Sequence, residues 1–333
     1  MTPILETKDL AIGFRSGSKE KVLHRGVALR IHKGELSCIL GPNGAGKSTL
    51  IKTIAGFLKP LKGVVNIDGA PVAERFYREL AFMLSVVLTD KVSVLYSKVS
   101  DIVSMGRYPH TSLFATLKEN DYHHISKAME QVGISGMKDR LFHELSDGEK
   151  QKVLIAKGLA QDTPLIILDE PTAFLDFPSK MEVMQILLQL TRTAGKTILL
   201  STHDVELALQ VADRIWLMDS GKPIVTGCPE DLVLNNEMNH FFEKKDIFFD
   251  PHSGTFRIKT SHQKKIGMKA GSHVMMWIKR ALERVGYEVV EPDDTLHRII
   301  AGESSNILLL SPSGKQHMFE DIESLINFLK KEQ

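Results

Sequence analysis

The sequence contains very little cysteine. Only Cys38 and Cys228 occur among its 333 residues. Two isolated cysteines cannot build the disulfide framework of a small secreted protein, nor a zinc site made of four cysteines. This scarcity favours a protein of a reducing compartment such as the cytosol.

Long apolar runs and an excess of one charge are also missing. No window approaches the roughly 18 uncharged apolar residues that predict a membrane-spanning helix, and residues 1–8 have no apolar core of signal-peptide length. The formal net charge is +1, so we expect no bulk attraction to nucleic acid and no nucleic-acid partner. If the protein works at a membrane, we expect it to dock on a partner that spans it.

The length of 333 residues indicates about two domains. Residues 1–260 predict an α/β domain, and residues 261–272 are polar, contain two glycines and are typical of a linker. Beyond them we expect helices near 273–285 and 320–331, with strands near 288–290, 297–301 and 306–311. The second domain, residues 261–333, is thus a small α+β unit in which we find no catalytic motif.

A glycine-rich segment carries the first chemical signal. It follows the apolar residues 36–40 and precedes a helical pattern at 49–55, and it consists of Gly41, Pro42, Asn43, Gly44, Ala45, Gly46, Lys47, Ser48 and Thr49. This spacing is that of the phosphate-binding P-loop, in which backbone N–H groups and a helix N-terminus surround phosphate oxygens. We expect Lys47 to bridge the β- and γ-phosphates and Ser48 to hold Mg²⁺.

Two further apolar runs end in polar residues. The run 165–168 ends in Asp169 and Glu170, and the run 197–200 leads to His203. Buried parallel strands with polar tips would meet the P-loop at one edge of a sheet. There Asp169 would reach Mg²⁺, directly or through water, and Glu170 would orient the attacking water. The alternative for the carboxylates is an acidic strand end facing solvent.

The regions between these motifs complete the predicted fold. Residues 3–35 alternate short apolar runs with turns and predict an antiparallel β layer. Residues 80–84 form a short apolar run that predicts a buried strand. Residues 86–160 are helical in character and end in a helix at about 147–160.

The chain resembles the ATP-binding subunit of an ABC transporter. The family signature Leu-Ser-Gly-Gly-Gln corresponds to Leu145-Ser146-Asp147-Gly148-Glu149, which departs from it at two positions. The resemblance implies that Ser146, Gly148 and Glu149 bind the γ-phosphate held by the other subunit of a head-to-tail homodimer. Asp147 adds a carboxylate near that phosphate, which would weaken ATP-driven closure.

Three other positions follow the same resemblance. Asp176, in Ala173-Phe174-Leu175-Asp176, would contact the other subunit, and His203 would sense the γ-phosphate. Phe14 would stack on adenine. For His203 and Phe14 the alternative is an ordinary core residue. The family also places a glutamine after the strand expected at 80–84, where this chain has Ser85, whose side chain has a shorter reach towards a water or Mg²⁺.

The stretch 105–110, Met-Gly-Arg-Tyr-Pro-His, is similar to subunits that drive iron–siderophore, haem and cobalamin importers. The C-terminal unit is not a standard part of that group. The resemblance implies an ATPase using ATP and Mg²⁺ at the cytoplasmic face of the membrane as a peripheral subunit. Its partners would be an integral-membrane permease docked on the helical region and, indirectly, an external substrate-binding protein.

The competing interpretation is a soluble ABC-type ATPase that acts as a nucleotide-dependent switch in DNA repair or translation. Repair proteins of this kind insert coiled coils or cysteine-rich zinc modules between the P-loop and the signature, and translation proteins carry two cassettes. This chain has about a hundred residues in that interval with neither insertion, and a single cassette. A third alternative is a degenerate regulatory cassette, against which the intact Lys47, Asp169, Glu170 and His203 argue.

Overall fold

The computed structural model describes residues 2–17, 19–88, 96–111, 116–242, 246–251, 253–258, 264–268, 273–293, 296–301 and 306–332. The chain divides into two compact units. The first comprises Met1–Phe241 and Pro251–Thr255, and the second comprises Phe242–Asp250 and Phe256–Gln333.

Strands and helices of the described residues are numbered separately, each in chain order. The strands are β1 Leu5–Ser16, β2 Lys19–Val27, β3 Arg30–Ile31, β4 Leu36–Leu40, β5 Lys62–Ile67, β6 Ala70–Pro71, β7 Leu84–Val87, β8 Leu165–Asp169, β9 Thr197–Thr202, β10 Arg214–Leu217, β11 Val225–Gly227, β12 Ile247–Asp250, β13 Thr255–Ile258, β14 Lys264–Met268, β15 Tyr287–Val290, β16 Arg298–Ala301, β17 Ile307–Leu310 and β18 Gln316–Phe319. The α-helices are α1 Lys47–Ile54, α2 Tyr77–Met83, α3 Val99–Ser104, α4 Glu119–Gln131, α5 Asp147–Ala160, α6 Phe177–Ala194, α7 Val205–Val211, α8 Pro229–Leu234, α9 Glu237–Phe242, α10 His273–Arg284 and α11 Ile322–Lys331.

The first unit is built around a six-stranded sheet of order β11-β10-β4-β9-β8-β7. Strands β10, β4, β9, β8 and β7 are parallel to their neighbours, and β11 is antiparallel to β10. Every residue of β4, β8 and β9 is buried, as expected for a parallel sheet covered on both faces. The sequence therefore predicted these three strands correctly, and their carboxyl ends lie side by side.

A second, largely antiparallel sheet contains the N-terminal strands. Its order is β2-β1-β5-β6, with β3 paired to β1. Leu5, Leu10 and Ile12 of β1 are fully buried and share one core cluster with Ile39 and Ile54 from the P-loop strand and helix. The antiparallel layer expected for residues 3–35 is confirmed, and its packing fixes the position of the P-loop.

The helical region follows β7 and contains α3, α4 and α5. The helical character expected before residue 160 is therefore confirmed for the described residues. Residues 89–95 and 112–115 lie outside them. Helix α5 begins at Asp147 because Ser146 caps it: the Ser146 hydroxyl accepts from the Glu149 N–H at 3.2 Å, and Glu149 Oε2 accepts from the Ser146 N–H at 2.8 Å. This reciprocal capping box satisfies two donors at the helix start. The same two hydrogen bonds fix the backbone of the signature segment from Ser146 to Glu149.

Two sequence-based expectations are wrong. Residues 80–83 end helix α2, and the strand begins only at Leu84; a short apolar run cannot by itself distinguish a buried strand from a buried helix face. Residues 264–268 of the expected linker form strand β14, in which Ile266 and Met268 are buried.

The second unit contains a five-stranded sheet of order β15-β14-β16-β17-β18. Strand β14 is parallel to β15 and β16, and the remaining pairs are antiparallel. Helices α10 and α11 contribute Ile278, Leu282 and Leu325 to a core that they share with Ile266 and Leu309 of the sheet. The unit therefore has its own hydrophobic core, as an α+β domain requires. No helix in the described part of the chain is long and apolar enough to cross a membrane.

Candidate nucleotide site

The glycine-rich loop joins β4 to α1 in a conformation that two glycines permit. Gly46 is the N-cap of α1 with φ of 101°, a region that side-chain-bearing residues rarely adopt. At Gly41, a Cβ would collide with the carbonyl oxygen of Met218. The loop thus passes tightly over the end of β10 and turns its backbone into the helix start, where anions bind favourably.

Lys47 lies at the base of this loop with only 5% of its surface exposed. Its Nζ donates to the carbonyl oxygens of Gly41 at 2.8 Å and Pro42 at 3.3 Å. These contacts hold the ammonium group inside the loop, at a position that favours phosphate oxygens.

The ends of β8 and β9 bring the two carboxylates to the same edge. The Ser201 hydroxyl donates to Asp169 Oδ1 at 2.6 Å and accepts from the Glu170 N–H at 2.9 Å. Glu170 has φ of 47°, an uncommon left-handed conformation for a residue other than glycine. This turn separates the directions of the two side chains: Asp169 is buried, whereas Glu170 is about one quarter exposed.

Glu170 is the point at which three of the expected residues meet. Its Oε1 lies 3.5 Å from Lys47 Nζ, and its Oε2 lies 3.9 Å from Nδ1 of His203. The His203 side chain is about half exposed. A carboxylate held between a lysine and a histidine at a strand tip suits an acid–base role next to a phosphate.

The residues proposed for Mg²⁺ offer oxygen donors of the required kind. Ser48 is exposed at the first turn of α1, and Asp169 presents a carboxylate at the end of β8. Within the described residues, no group of three or more His, Cys, Asp or Glu side chains could hold a metal ion. Such a donor set fits Mg²⁺ held by one or two protein ligands together with phosphate oxygens, rather than by a complete protein cage.

The signature segment is held by its own capping box and by Arg140. Arg140 Nη1 donates to Glu149 Oε1 at 3.1 Å. The pKa of Glu149 is lowered chiefly by the hydrogen bond from the backbone of Ser146, with Arg140 contributing. Gly148 is buried against the Ser179 hydroxyl of α6, and the Asp147 side chain is mostly exposed. The segment therefore presents the start of α5 and the Ser146 hydroxyl, while Glu149 stabilises their geometry.

Asp176 and Phe14 are placed differently from each other. Asp176 caps α6 by accepting from the Ser179 N–H at 3.1 Å, and the hydroxyl and backbone of Ser179 together lower its pKa. Beside it, Phe174 is 77% exposed with φ of 64°.

The ring of Phe14, on β1, is about half exposed. A core position is thereby excluded for Phe14, while the contact of Asp176 with a second subunit stays a prediction.

Ser85 does not follow the strand, as the sequence analysis expected, but lies within it. Ser85 is the second residue of β7 and pairs with Ile166, three positions before the level of Asp169. It is buried, and its hydroxyl has no hydrogen-bond partner among the described residues. The strand ends at Val87, and residues 89–95 lie outside the described residues.

Sequence reasoning overlooked two supporting residues. Ser201 links Asp169 to the backbone of Glu170, and Arg140 fixes Glu149. A polar residue inside the otherwise apolar β9 run was the available signal for Ser201. Nothing in the spacing of Arg140 indicated its contact.

Comparison with known proteins gives two family matches. Residues 24–173 match a family model described as ABC transporter, and residues 263–330 match one described as iron ABC transporter C-terminal domain. The second match gives a family for the C-terminal unit, which the sequence analysis did not expect as a standard part of the siderophore, haem and cobalamin importer group.

Individual relatives extend these matches. An uncharacterized ABC transporter ATP-binding protein of Methanocaldococcus jannaschii is 38% identical over 86% of this chain and 98% of its own length. The ferric enterobactin transport ATP-binding protein FepC of Escherichia coli is 31% identical over 69% of this chain and 85% of its own. The structure of CbiO1 from Clostridium perfringens, part of the ABC transporter complex CbiONQ, is 30% identical and superimposes with a TM-score of 0.62 over 72% of this chain and 94% of its own.

Proposed function

Because the chain belongs to the family of ABC transporter ATP-binding proteins, whose members are ATPases, we propose that it powers the import of an iron chelate, haem or cobalamin through a separate permease. The observation that carries the ATPase part is the contact of Glu170 with both Lys47 and His203 at the end of the parallel sheet. The iron part is supported by the match of residues 263–330 to the C-terminal domain of iron ABC transporters. It is supported further by the similarity to a ferric enterobactin transport protein.

The loop residues and the start of α1 bind the triphosphate in this proposal. Backbone N–H groups from Gly44 to Thr49 face phosphate oxygens, and the Lys47 ammonium group moves from the carbonyl oxygens of Gly41 and Pro42 to the β- and γ-phosphates. Phe14 offers an exposed ring for the adenine. Ser48 and Asp169 would hold Mg²⁺, which neutralises phosphate charge when it is bound.

Glu170 orients and deprotonates the attacking water in this proposal. Its carboxylate is partly exposed and lies beside Lys47, and Ser201 fixes its backbone. His203 Nδ1 lies 3.9 Å from Glu170 Oε2, and its half-exposed ring would donate to the γ-phosphate. The three side chains therefore act differently, since Lys47 binds phosphate, Glu170 accepts a proton, and His203 responds to the γ-phosphate.

Two copies would complete two sites. Ser146, Gly148 and the N-terminus of α5 from one copy would close on the γ-phosphate held by the P-loop of the other, with Asp176 at the contact. Closing and reopening would move a permease docked on the helical region, and the protein would act at the cytoplasmic face of a membrane as a peripheral subunit. An external binding protein would deliver the compound.

Co-purification from membranes of the native host tests this proposal. We expect an integral permease of many helices to be recovered in equal amount, and the purified complex in vesicles to take up an iron–siderophore complex, haem or cobalamin only with ATP inside. A complex carrying Glu170→Gln is the matched control and should not transport. Recovery of the protein alone, or together with nucleic acid or ribosomes, would overturn the importer assignment.

A further inference from the structure

A buried histidine lies directly beneath the glycine-rich loop. His24, on β2, is only 4% exposed. Its Nε2 lies 2.8 Å from the carbonyl oxygen of Ala45 in the loop, and its Nδ1 lies 3.2 Å from the carbonyl oxygen of Lys222, in the turn after β10. One imidazole ring therefore connects three segments that are distant in sequence.

Both partners of His24 are acceptors. A neutral imidazole carries one N–H donor, so either tautomer would turn a nitrogen lone pair towards one of the two carbonyl oxygens. Only the doubly protonated ring donates to both. The Ala45 contact is the shorter of the two and is buried, whereas the Lys222 contact is partly exposed. A buried carbonyl oxygen left facing a lone pair is costly, so the geometry favours a proton on Nε2, which donates to Ala45.

The hydrogen bond to Ala45 acts on the phosphate cradle through the next peptide group. In a trans peptide the C=O of Ala45 and the N–H of Gly46 point in opposite directions. The hydrogen bond to His24 holds the Ala45 carbonyl outside the loop. The Gly46 N–H therefore points into the loop, where phosphate oxygens would bind. Gly46 has φ of 101° and starts α1, so its backbone has conformational freedom that needs an external restraint.

Charged groups lie on the two segments that His24 contacts. In the turn after β10, Asp219 forms an ion pair with Lys222 at 2.9 Å. The pKa of the Asp219 carboxyl is lowered mainly by that hydrogen bond and, to a smaller extent, by the charge of His24. In the glycine-rich loop, Lys47 lies two residues after Ala45. Its ammonium group donates to the carbonyl oxygens of Gly41 and Pro42 and forms an ion pair with Glu170.

We propose that His24 is a positioning residue of the nucleotide site, which holds the Ala45 carbonyl group from β2 and so keeps the Gly46 N–H turned towards the phosphates. The inference rests on the proposed ATP site and adds a supporting residue to it.

The test measures the dissociation constant of a fluorescent ATP analogue for the full chain. We expect His24→Asn to bind about tenfold more weakly than the wild type, since the hydrogen bond to the Ala45 carbonyl is lost. His110→Asn is the matched control, because His110 also places Nε2 2.8 Å from a carbonyl oxygen, that of Gln161 in the helical region. It should keep the wild-type affinity.

Identical affinity in the wild type and His24→Asn would overturn the inference. The proposed ATP site is judged separately: it fails if the wild type does not bind the nucleotide, or if Lys47→Ala binds it equally well. If His24→Asn does not fold, ¹⁵N spectra of histidine-labelled wild type decide the question. A proton on Nε2 of His24 is expected, and a ring without a proton on Nε2 would contradict the proposal.

Discussion

Lys47 Nζ and Glu170 Oε1 lie 3.5 Å apart at the carboxyl edge of the central sheet. Their strands are not neighbours, because β9 lies between β4 and β8. The two side chains meet because the P-loop and the turn at Glu170 both extend beyond the strand ends. This contact brings the expected phosphate-binding cation and the expected base into one site.

Lys47→Ala removes the ammonium group that the loop holds. We expect ATP binding to weaken strongly and hydrolysis to fall by at least about a hundredfold, since a preorganised charge near the reacting phosphate is lost. A Lys52→Ala variant, one turn further along α1, is the matched control and should retain activity. Normal hydrolysis by Lys47→Ala would contradict the site assignment.

Glu170→Gln keeps the size of the side chain and removes its basicity. The variant should bind ATP, hydrolyse it about a hundredfold to ten-thousandfold more slowly, and accumulate as an ATP-bound dimer that sedimentation velocity detects. Glu206→Gln, exposed on α7, serves as the control. A Glu170→Gln protein that stays monomeric at saturating ATP would argue against the two-site dimer.

The central strands could be predicted from sequence because a buried parallel strand is a continuous apolar run. Residues 165–168 and 197–200 have this pattern, and their polar ends indicated the site. The α2–β7 boundary could not be located in this way, since residues 80–84 are apolar whether they form a helix face or a strand. That error displaced Ser85, which the structure buries three positions before the level of Asp169.

Contacts between distant segments were the other feature that the sequence could not supply. The Ser201–Asp169 hydrogen bond depends on the register of β8 against β9. The bridge from His24 to Lys222 joins residues that are far apart in the chain. Neither contact has a local pattern, whereas the capping box of Ser146 and Glu149 is visible from spacing alone.

Ser201→Ala tests the support behind the two carboxylates. It removes a donor to Asp169 and an acceptor for the Glu170 N–H, so we expect a loss of about 1–3 kcal/mol in the free energy of unfolding together with slower ATP hydrolysis. Ser37→Ala is the control: the Ser37 hydroxyl is equally buried, on β4, but has no hydrogen-bond partner among the described residues. Its removal should be neutral or stabilising. Equal urea midpoints and ATPase rates for the two variants would contradict the assigned role of Ser201.

Asp121→Asn tests the buried ion pair of the helical region. Asp121 accepts from Arg107 Nε at 2.9 Å, and both residues are buried. Its pKa is lowered, first by the backbone hydrogen bond from Lys118 and then by Arg107. Because the folded-state pKa is depressed, the stabilisation is present above the unfolded-state value of about 3.9 and is lost as the pH falls through the folded-state value.

The expected cost of Asp121→Asn at pH 7 is about 3–5 kcal/mol, since Arg107 is left buried without its partner. The difference from the wild type in denaturant unfolding should shrink in acid. Asp139→Asn breaks an exposed pair with Lys98 and should cost less than about 1 kcal/mol. A cost for Asp121→Asn as small as that of Asp139→Asn would show that the pair contributes little.

Asp147→Asn tests the effect of the unusual carboxylate in the signature segment. Asp147 is exposed at the first turn of α5, 4.0 Å from Lys150, where its charge favours the helix N-terminus but opposes an incoming γ-phosphate. Made in the Glu170→Gln protein, the substitution should therefore strengthen ATP-driven dimerisation by several-fold while slightly lowering helix stability. The dimer dissociation constant from sedimentation, measured at low and high salt, checks this: the gain should diminish in high salt, because an exposed charge is screened. An Asp147→Asn protein that dimerises no more tightly at either salt concentration would show that this carboxylate does not face the phosphate of the second subunit.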